Sequence, residues 1–308
     1  MRREGSKDAR LVARAGCAID RIERREAGSM VLVAAHPDDE TIGAGATLAY
    51  LVASGWRVEV LHVTDGAPRD VALRPALRDL SIEEAARVRR EEVRAAIRAG
   101  RLEKGAGVML APSLAVADQE AARVMAPLAR TLAARLAAAS VDVVVTHPYE
   151  GGHPDHDAVA FAVHAAVALT SRTMGDPPRI VEMSSYHRRD GALVNGAFLP
   201  SMDVRCERVR DGRLDDVARA RKRAMLDAFT SQRDVLAAFD TLAEPLRCAP
   251  YYDFTRPPHA GVLHYETLPF AWTGDDWREL ASDALRQLGL TATALMQRPG
   301  CSSGAAHD

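Results

Sequence analysis

The segment VDVVVT, residues 141–146, is the clearest buried strand in the chain, since it is a short apolar run rich in β-branched residues. A helical pattern of Ala, Leu and Arg precedes it at residues 121–138, and another follows at residues 154–169. A second apolar run, MVLVAA at residues 30–35, is followed by a helical pattern at residues 42–54. Apolar strands that alternate with helices predict an α/β protein whose parallel sheet is covered on both faces.

The same alternation continues along the chain. Further strands are predicted at residues 58–63, 107–110, 179–184 and 262–266, and further helices at residues 82–99, 214–229 and 277–288. Ser81 and Glu84 have the spacing of a capping box. Because no repeat and no long linker divides the chain, we predict one domain over residues 29–290, a helical arm at residues 1–28 and a disordered tail at residues 291–308.

The charge balance argues against a protein that neutralises nucleic-acid phosphates. The 308 residues include 40 basic and 42 acidic ones, for a net charge of -2, and no basic stripe or aromatic platform is present. Only Lys7, Lys104 and Lys222 are lysines, and the remaining basic residues are Arg. We interpret this excess of Arg as a result of the base composition of the genome, not as a device for binding a ligand.

The cysteines and the apolar runs indicate a cytoplasmic protein without an integral membrane segment. Cys17, Cys206, Cys248 and Cys301 lie far apart with no C-x-x-C pair, which predicts free thiols in a reducing compartment. No apolar run approaches the ~18 residues of a membrane span. The N-terminal residues MRREGSKDAR do not lead into a signal-peptide apolar region.

Two segments that follow predicted strands carry residues suited to metal chemistry. AHPDDE occupies residues 35–40, and HPYEGGHPDHD occupies residues 147–157. Ligands bind beyond the carboxyl ends of the strands in open parallel sheets, so these segments meet there if their strands are close. His36, Asp39 and His156 would then supply two imidazoles and one carboxylate, the donor set of a catalytic zinc site.

The neighbouring residues suggest hydrolysis. Asp38 is left beside the metal as a base that takes a proton from water. His153 would donate to a developing oxyanion or protonate a leaving amine, with Asp155 orienting its ring. Each segment alone also fits a simple turn, in which Pro fixes φ and Asp39 caps the following helix.

At the level of these motifs the chain resembles the PIG-L/LmbE-like zinc-dependent deacetylases, which remove acetyl groups from substrates that contain N-acetylglucosamine. The resemblance rests on A-H-P-D-D-E at residues 35–40 and G-H-P-D-H at residues 152–156, and it extends over the α/β pattern of residues 29–170. It implies a Rossmann-like, LmbE-like fold and a deacetylase domain at residues 29–290.

The resemblance assigns the same roles, with His36, Asp39 and His156 as metal ligands and Asp38 as general base. It also implies that His153 stabilises the oxyanion or acts on the amine, with Asp155 behind it. Substrate contacts are expected from Arg89, which has the spacing of an R-x-x-E motif on the second helix, and from Asp65, which follows the second strand. Some relatives have a Tyr just before the Gly of the second motif, and Tyr149 is the nearest tyrosine here.

The expected function is therefore a zinc-dependent deacetylase that acts on an N-acetylated amino sugar or glycoconjugate. One Zn²⁺ per chain is expected, although Fe²⁺ can occupy such a site in the cell. The alternatives are a deacylase or amidase of another N-acyl small molecule, a non-haem Fe(II) oxygenase built on the same donor set, and a non-catalytic metal-binding relative. No nucleic-acid partner is expected, and a homo-oligomer stays open.

Overall fold

A seven-stranded, mostly parallel sheet with helices on both faces forms the protein. The computed structural model describes residues 19, 22, 27–103, 107–172, 177–200, 209–239, 241–269 and 271–295. The strands are β1 (Ser29–Ala34), β2 (Arg57–His62), β3 (Val108–Leu110), β4 (Val143–Thr146), β5 (Arg179–Met183), β6 (Tyr186–Arg189), β7 (Ala192–Asn195), β8 (Val209–Arg210) and β9 (Leu246–Cys248). The α-helices are α1 (Asp39–Ala53), α2 (Ile82–Ala99), α3 (Met125–Ala139), α4 (Pro154–Thr170), α5 (Asp216–Leu226), α6 (Arg233–Leu236), α7 (Gly274–Leu288) and α8 (Ala292–Leu295). Short 3₁₀ turns cover Val71–Leu73, Pro75–Leu77, Ala121–Val124, Thr230–Gln232 and His264–Thr267.

The strand order places β1 at the point where the connections change direction. The sheet runs β3-β2-β1-β4-β5-β9-β8, and β6 and β7 form a separate hairpin. β1 pairs in parallel with β2 on one side and with β4 on the other, with Leu32 opposite Val145. The carboxyl ends of these three strands therefore lie at one edge, beside a topological switch point where α/β proteins bind ligands.

The alternating side chains of β1 divide the core into two layers. Val31 and Val33 belong to an apolar cluster that includes residues of α3, α4 and α7. Met30 and Leu32 point the other way, into a cluster with residues of α1, α2 and α5. Both faces of the strand are buried, as expected for a parallel sheet between helical layers, and the predicted α/β class is confirmed.

Local signals in the sequence are confirmed at some places and wrong at others. The predicted capping box is present, since the Ser81 hydroxyl accepts the Glu84 N–H and the Glu84 carboxylate accepts the Ser81 N–H. The strand predicted at residues 262–266 is wrong, because this segment forms the 3₁₀ turn His264–Thr267. The Glu266 carboxylate closes the turn by accepting the N–H groups of Leu263 and Gly274.

The two ends of the chain lie largely outside the described residues. Of the predicted arm at residues 1–28, only Ile19, Ile22 and residues 27–28 are described, and both isoleucines are buried. The predicted tail at residues 291–308 begins with α8, whose Leu295 is buried, and residues 296–308 lie outside the described part. The division into arm, domain and tail stays a prediction.

Cys248 is disulfide-bonded, so the expectation that all four cysteines are free thiols is wrong at this residue. Wide spacing along the chain does not measure distance in the fold, so it could not exclude a disulfide at Cys248. Within the described ranges, no helix combines the length and the apolar character that crossing a membrane requires.

Candidate active site

The two sequence segments meet at the carboxyl edge of the sheet. His36 and Asp38 lie between β1 and α1, and His153 and His156 lie at the start of α4, after β4. The centroids of the His36 and His153 rings are 4.6 Å apart, and those of the His36 and His156 rings are 5.3 Å apart. The parallel pairing of β1 with β4 brings these distant parts of the chain together.

The carboxylate of Asp39 lies between two histidines. Its Oδ2 is 3.3 Å from His36 Nδ1, and its Oδ1 is 3.2 Å from His156 Nε2. Oδ2 also accepts the backbone N–H of His36 at 2.7 Å, which fixes the side chain of Asp39. The three predicted ligands therefore converge on one point.

The other nitrogen of each histidine has its own partner. His36 Nε2 is 3.2 Å from Asp155 Oδ2, and His156 Nδ1 is 3.2 Å from Ser185 Oγ. Metal-binding imidazoles are commonly oriented by such contacts. His36 Nδ1 and His156 Nε2 are thus the atoms available to a shared cation.

His147 is a third imidazole at this place, and the sequence analysis gave it no role. Its ring stacks on His156 at 4.0 Å, and its Nε2 is 3.4 Å from Asp39 Oδ2. The same Nε2 accepts the backbone N–H of Ala35 at 3.0 Å. Because Nε2 accepts this N–H, it has no proton to donate to Asp39, and His147 packs against His156 and the Asp39 carboxylate.

His153 is held in one tautomer. Its Nδ1 accepts the backbone N–H of Asp155 at 3.1 Å. Burial, followed by the charge of His36, keeps the pKa of His153 well below its usual range. The neutral ring therefore carries its proton on Nε2.

The expected role of the Asp155 side chain is corrected by these contacts. Its carboxylate accepts the N–H groups of Gln119 and Ala121 and contacts His36, whereas only its backbone N–H reaches His153. The helical start at Pro154 turns the carboxylate away from its sequence neighbour and toward the segment at residues 119–121. Asp155 thus orients His36 instead of His153.

Asp38 is a buried carboxylate beside these donors. Burial raises its pKa to about 7; the guanidinium of Arg89 opposes the rise and the charge of Asp39 adds to it. Its backbone has φ 144°, a strained conformation for a residue other than glycine. Its N–H donates to Glu40 Oε2 at 3.1 Å, and that oxygen is 2.9 Å from His62 Nε2.

Arg89, expected to contact substrate, is paired inside the protein. Its side chain is 2% exposed, and it forms ion pairs of 2.7 Å with Asp38 and with Glu92. It also donates to the carbonyl of Pro37. The R-x-x-E spacing thus places Arg89 and Glu92 in contact, and the guanidinium of Arg89 also binds the carboxylate of Asp38.

The other two expected substrate residues differ in position. Asp65 lies just beyond β2 and shares its carboxylate with Arg69 at 2.8 Å. Tyr149 is buried in the core, where its hydroxyl donates to the Arg256 carbonyl at 2.8 Å and its ring stacks on Trp277. These contacts place Tyr149 in the core, and a substrate contact from its hydroxyl stays a prediction.

Two further residues face the site: Tyr186, which follows the strand predicted at residues 179–184 and could line a pocket there, and Asp118, which was not predicted. The centroid of the Tyr186 ring is 5.4 Å from that of His156, and burial together with nearby carboxylates, Asp39 first, raises the pKa of its hydroxyl. Asp118 Oδ2 is 3.8 Å from His36 Nε2, and burial raises the pKa of Asp118 to about 6. Tyr186 directly follows a predicted strand, which was its available signal, whereas Asp118 lies in a loop without a motif.

The donors fit a metal ion. Among the described residues, three groups of side chains have donor atoms close enough to share one: His36 with His153 and His156, Asp39 with His147 and His156, and His36 with Asp118 and Asp155. The groups overlap at His36 and His156, the two imidazoles that face Asp39. Two imidazoles and a carboxylate, with room left for water or substrate, are what a catalytic zinc ion requires.

Comparison with known proteins identifies relatives with a common activity. The PIG-L family, described as GlcNAc-PI de-N-acetylase, matches residues 31–167. A 1D-myo-inositol 2-acetamido-2-deoxy-alpha-D-glucopyranoside deacetylase of Segniliparus rotundus is 32% identical over 253 residues, which covers 68% of this chain and 79% of that protein. A deacetylase of the same name from Acidothermus cellulolyticus is 47% identical over 57 residues, covering 18% of this chain and only 19% of that protein.

Solved structures share the fold. A deacetylase of the teicoplanin biosynthesis pathway matches with a TM-score of 0.54 at 18% identity, over 71% of this chain and 96% of that one. The zinc-inhibited form of the teicoplanin deacetylase Orf2 matches with a TM-score of 0.51 at 17% identity, over 71% of this chain and 97% of that one. At these identities the likeness concerns the fold alone.

Proposed function

Because the chain belongs to the PIG-L family, we propose that it is a zinc-dependent amidohydrolase that removes the acetyl group from an N-acetylglucosamine-type sugar or glycoconjugate. The products are acetate and a free amine. One observation carries the proposal: the carboxylate of Asp38 lies beside the donors that surround Asp39 but is held by Arg89, outside the donor set. A carboxylate that does not bind the metal can act as the base that takes a proton from water during hydrolysis.

His36 Nδ1, Asp39 and His156 Nε2 would hold the zinc ion. When bound, zinc would lower the pKa of a water molecule and polarise the acyl oxygen. Asp155 and Ser185 keep the two imidazoles turned toward Asp39. His147, just after β4, stacks on the His156 ring.

Asp38 takes the proton of the attacking water. Asp38 is buried, and the guanidinium of Arg89 contacts its carboxylate at 2.7 Å, so the carboxylate is held ready to accept a proton. Arg89 and Glu40 hold its side chain and its backbone in place. The strained φ of Asp38 is thereby maintained by contacts on both sides.

His153 supplies a hydrogen-bond donor. Its Nδ1 accepts the Asp155 N–H, so its Nε2–H would be the group that donates to the oxyanion developing on the acyl carbon. Asp38 or His153 then protonates the amine, because an unprotonated amine is a very poor leaving group. Asp65, at the end of β2, is a candidate for a contact with a substrate hydroxyl.

Two substitutions separate the base from the metal site. We expect Asp38→Ala to lower kcat by a factor of about 10²–10⁴ and to retain metal, and His156→Ala to lose metal. Acetate release from a panel of N-acetylated sugars and glycoconjugates, with metal content measured on the same samples, checks both. A near-normal kcat in Asp38→Ala would remove Asp38 from the role of base. Metal analysis of protein purified from its own cells distinguishes Zn²⁺ from Fe²⁺.

Cellular location and assembly are separate proposals. We infer a cytoplasmic location from the composition, although the disulfide at Cys248 counts against it because disulfides are rare where thiols are kept reduced. Cell fractionation, with mass spectrometry of Cys248 under non-reducing conditions, tests the location. We propose a homo-oligomer as an alternative to a monomer, and sedimentation equilibrium distinguishes the two states.

A further inference from the structure

A cavity of about 300 Å³ lies beside the active site, at the carboxyl ends of β2 and β3. Pro37, Val93 and Leu110 give it an apolar wall. Pro37 stands between His36 and Asp38 in the chain, and consecutive Cα atoms are about 3.8 Å apart. A ligand held at the metal donors therefore has this cavity within reach of its next chemical group.

Two arginines without partners line the cavity. Arg90 and Arg94 are exposed, one turn apart on α2, and neither forms a hydrogen bond or ion pair within the described part of the chain. By contrast, Arg87 on the same helix pairs with Glu91. Like charges four residues apart on a helix repel each other, so this pair is unfavourable unless something neutralises it.

The cavity does not supply a carboxylate for these arginines. Asp65 is the one acidic side chain among its described lining residues. Its carboxylate is already 2.8 Å from the guanidinium of Arg69 and accepts the N–H of Ala67 at 3.1 Å. The cavity therefore presents two uncompensated positive charges above an apolar wall.

We propose that this cavity binds an anionic substituent of the substrate, a phosphate ester or a carboxylate on the N-acetylated sugar. Guanidinium groups match the oxygens of both anions through paired, charge-assisted hydrogen bonds. The apolar wall formed by Val93 and Leu110 would contact the carbon skeleton next to the charge. This inference rests on the proposed deacetylase function, since it places the N-acetyl group at the metal donors.

The test compares charged and neutral ligands on matched variants. Zinc-loaded Asp38→Asn protein is titrated with N-acetylglucosamine 1-phosphate, N-acetylmuramic acid and the neutral methyl N-acetylglucosaminide, so that bound ligand is not consumed. The same titrations are made after Arg90→Gln/Arg94→Gln and after Arg87→Gln/Arg98→Gln. The second pair removes the same charge from exposed positions of the same helix, away from the cavity lining.

We expect at least one anionic sugar to bind 10-fold or more tightly than the neutral one. The preference should fall below about 3-fold in Arg90→Gln/Arg94→Gln and persist in the control pair. If N-acetylglucosamine 1-phosphate shows the preference, the cavity binds a phosphate ester. If N-acetylmuramic acid shows it, the cavity binds a carboxylate. The preference should also weaken as salt rises, because the arginines are exposed.

The opposite results overturn the inference. They are an equal affinity for all three ligands, or a preference that survives in Arg90→Gln/Arg94→Gln. The wild-type enzyme separates this failure from a failure of the proposed function. Acetate released at the same kcat/KM from neutral and anionic sugars would retain the deacetylase and reject the anion site. If anionic sugars bind preferentially through Arg90 and Arg94 but no sugar releases acetate, the anion site is retained and the deacetylase function is rejected.

Discussion

His164 shows how one residue makes the stability of the fold depend on pH. It lies in α4, where its ring contacts those of Tyr252 and Phe254, and its Nε2 has no hydrogen-bond partner in the described structure. Burial lowers its pKa to about 4 from the ordinary 6.5. The folded protein therefore keeps this imidazole neutral at pH values where the unfolded chain protonates it.

We predict that the contribution of His164 to stability is fully present above pH 6.5 and is lost as the pH falls toward 4. Each pKa unit corresponds to about 1.4 kcal/mol, so about 2 kcal/mol is lost by pH 5. Urea unfolding at pH 7.5 and pH 5 measures this for the wild type and for His164→Leu, which cannot titrate. An equal loss of unfolding free energy in both proteins would show that other groups cause it.

The candidate site residues that the sequence brought together most directly are those whose neighbours along the chain are also their neighbours in space. His36 and Asp39 are of this kind, since a single helix start positions both. The approach of Tyr186 to His156 depends instead on a contact between distant segments. A Cβ on Gly152 would lie 2.0 Å from the Tyr186 carbonyl oxygen, so the glycine of the second motif is needed for β6 to pass this close.

At the level of elements, a buried ion pair fastens α1 to the C-terminal part of the protein. The Glu244 carboxylate accepts the N–H groups of Ala46 and Thr47, in the middle of α1, at 2.8 and 2.7 Å. Lys222 Nζ, from α5, is 3.1 Å from Glu244 and donates to the carbonyl of Ile42. Both charges are almost completely buried, so each depends on the other.

We predict that Lys222→Met lowers the free energy of unfolding by about 3–5 kcal/mol, because it leaves the charge of Glu244 buried and unpaired. The double variant Lys222→Met/Glu244→Gln should lose less than the sum of the two single variants. Arg219→Met on the same helix is the control, since its ion pair with Asp216 is exposed and should be worth less than about 1 kcal/mol. Denaturant unfolding measures all four, and additive losses would contradict the pairing.

The length and the apolar character of an element decided how well the sequence predicted it. The strands with several β-branched residues and the long helices were located to within a few residues, and α1 begins at Asp39 instead of residue 42 because the helix includes the acidic residues of the motif. β3 was predicted although it has only three residues, because all three are apolar, whereas β8 and β9 each contain an Arg and were not predicted. β9 is set by its antiparallel pairing with β5, which is information about another part of the chain.

At the level of the whole molecule, the donors come together only when the sheet has formed, so metal binding should stabilise the native state alone. We predict that chelation lowers the free energy of unfolding by about 2.7 kcal/mol relative to free zinc at 100 times its Kd. Thermal unfolding with zinc and with chelator measures the shift in Tm. His156→Ala, which lacks one ligand, should show almost no shift, and an equal shift in both proteins would place the metal elsewhere.

The sheet order also separates what the sequence could predict about the whole chain from what it could not. The alternation of strands and helices up to about residue 170 predicted the parallel part, including the edge at which the site lies. Beyond that point the chain adds a hairpin, an antiparallel edge and 3₁₀ turns, whose positions depend on contacts with the finished sheet. Asp118, in the loop after β3, depends on the same kind of contact.

The pairing of β1 with β4 also affects how fast the protein folds and when its metal donors come together. His36 and Asp155 are in contact although they are 119 positions apart in the chain, so the intervening segment must close as a long loop before they meet. Such distant contacts slow folding, because the entropy of loop closure must be overcome first. During synthesis the ribosome must therefore release α4 before the second half of the donor set exists. Metal capture then becomes a late step, which spares a half-made chain from binding the ion in a wrong arrangement.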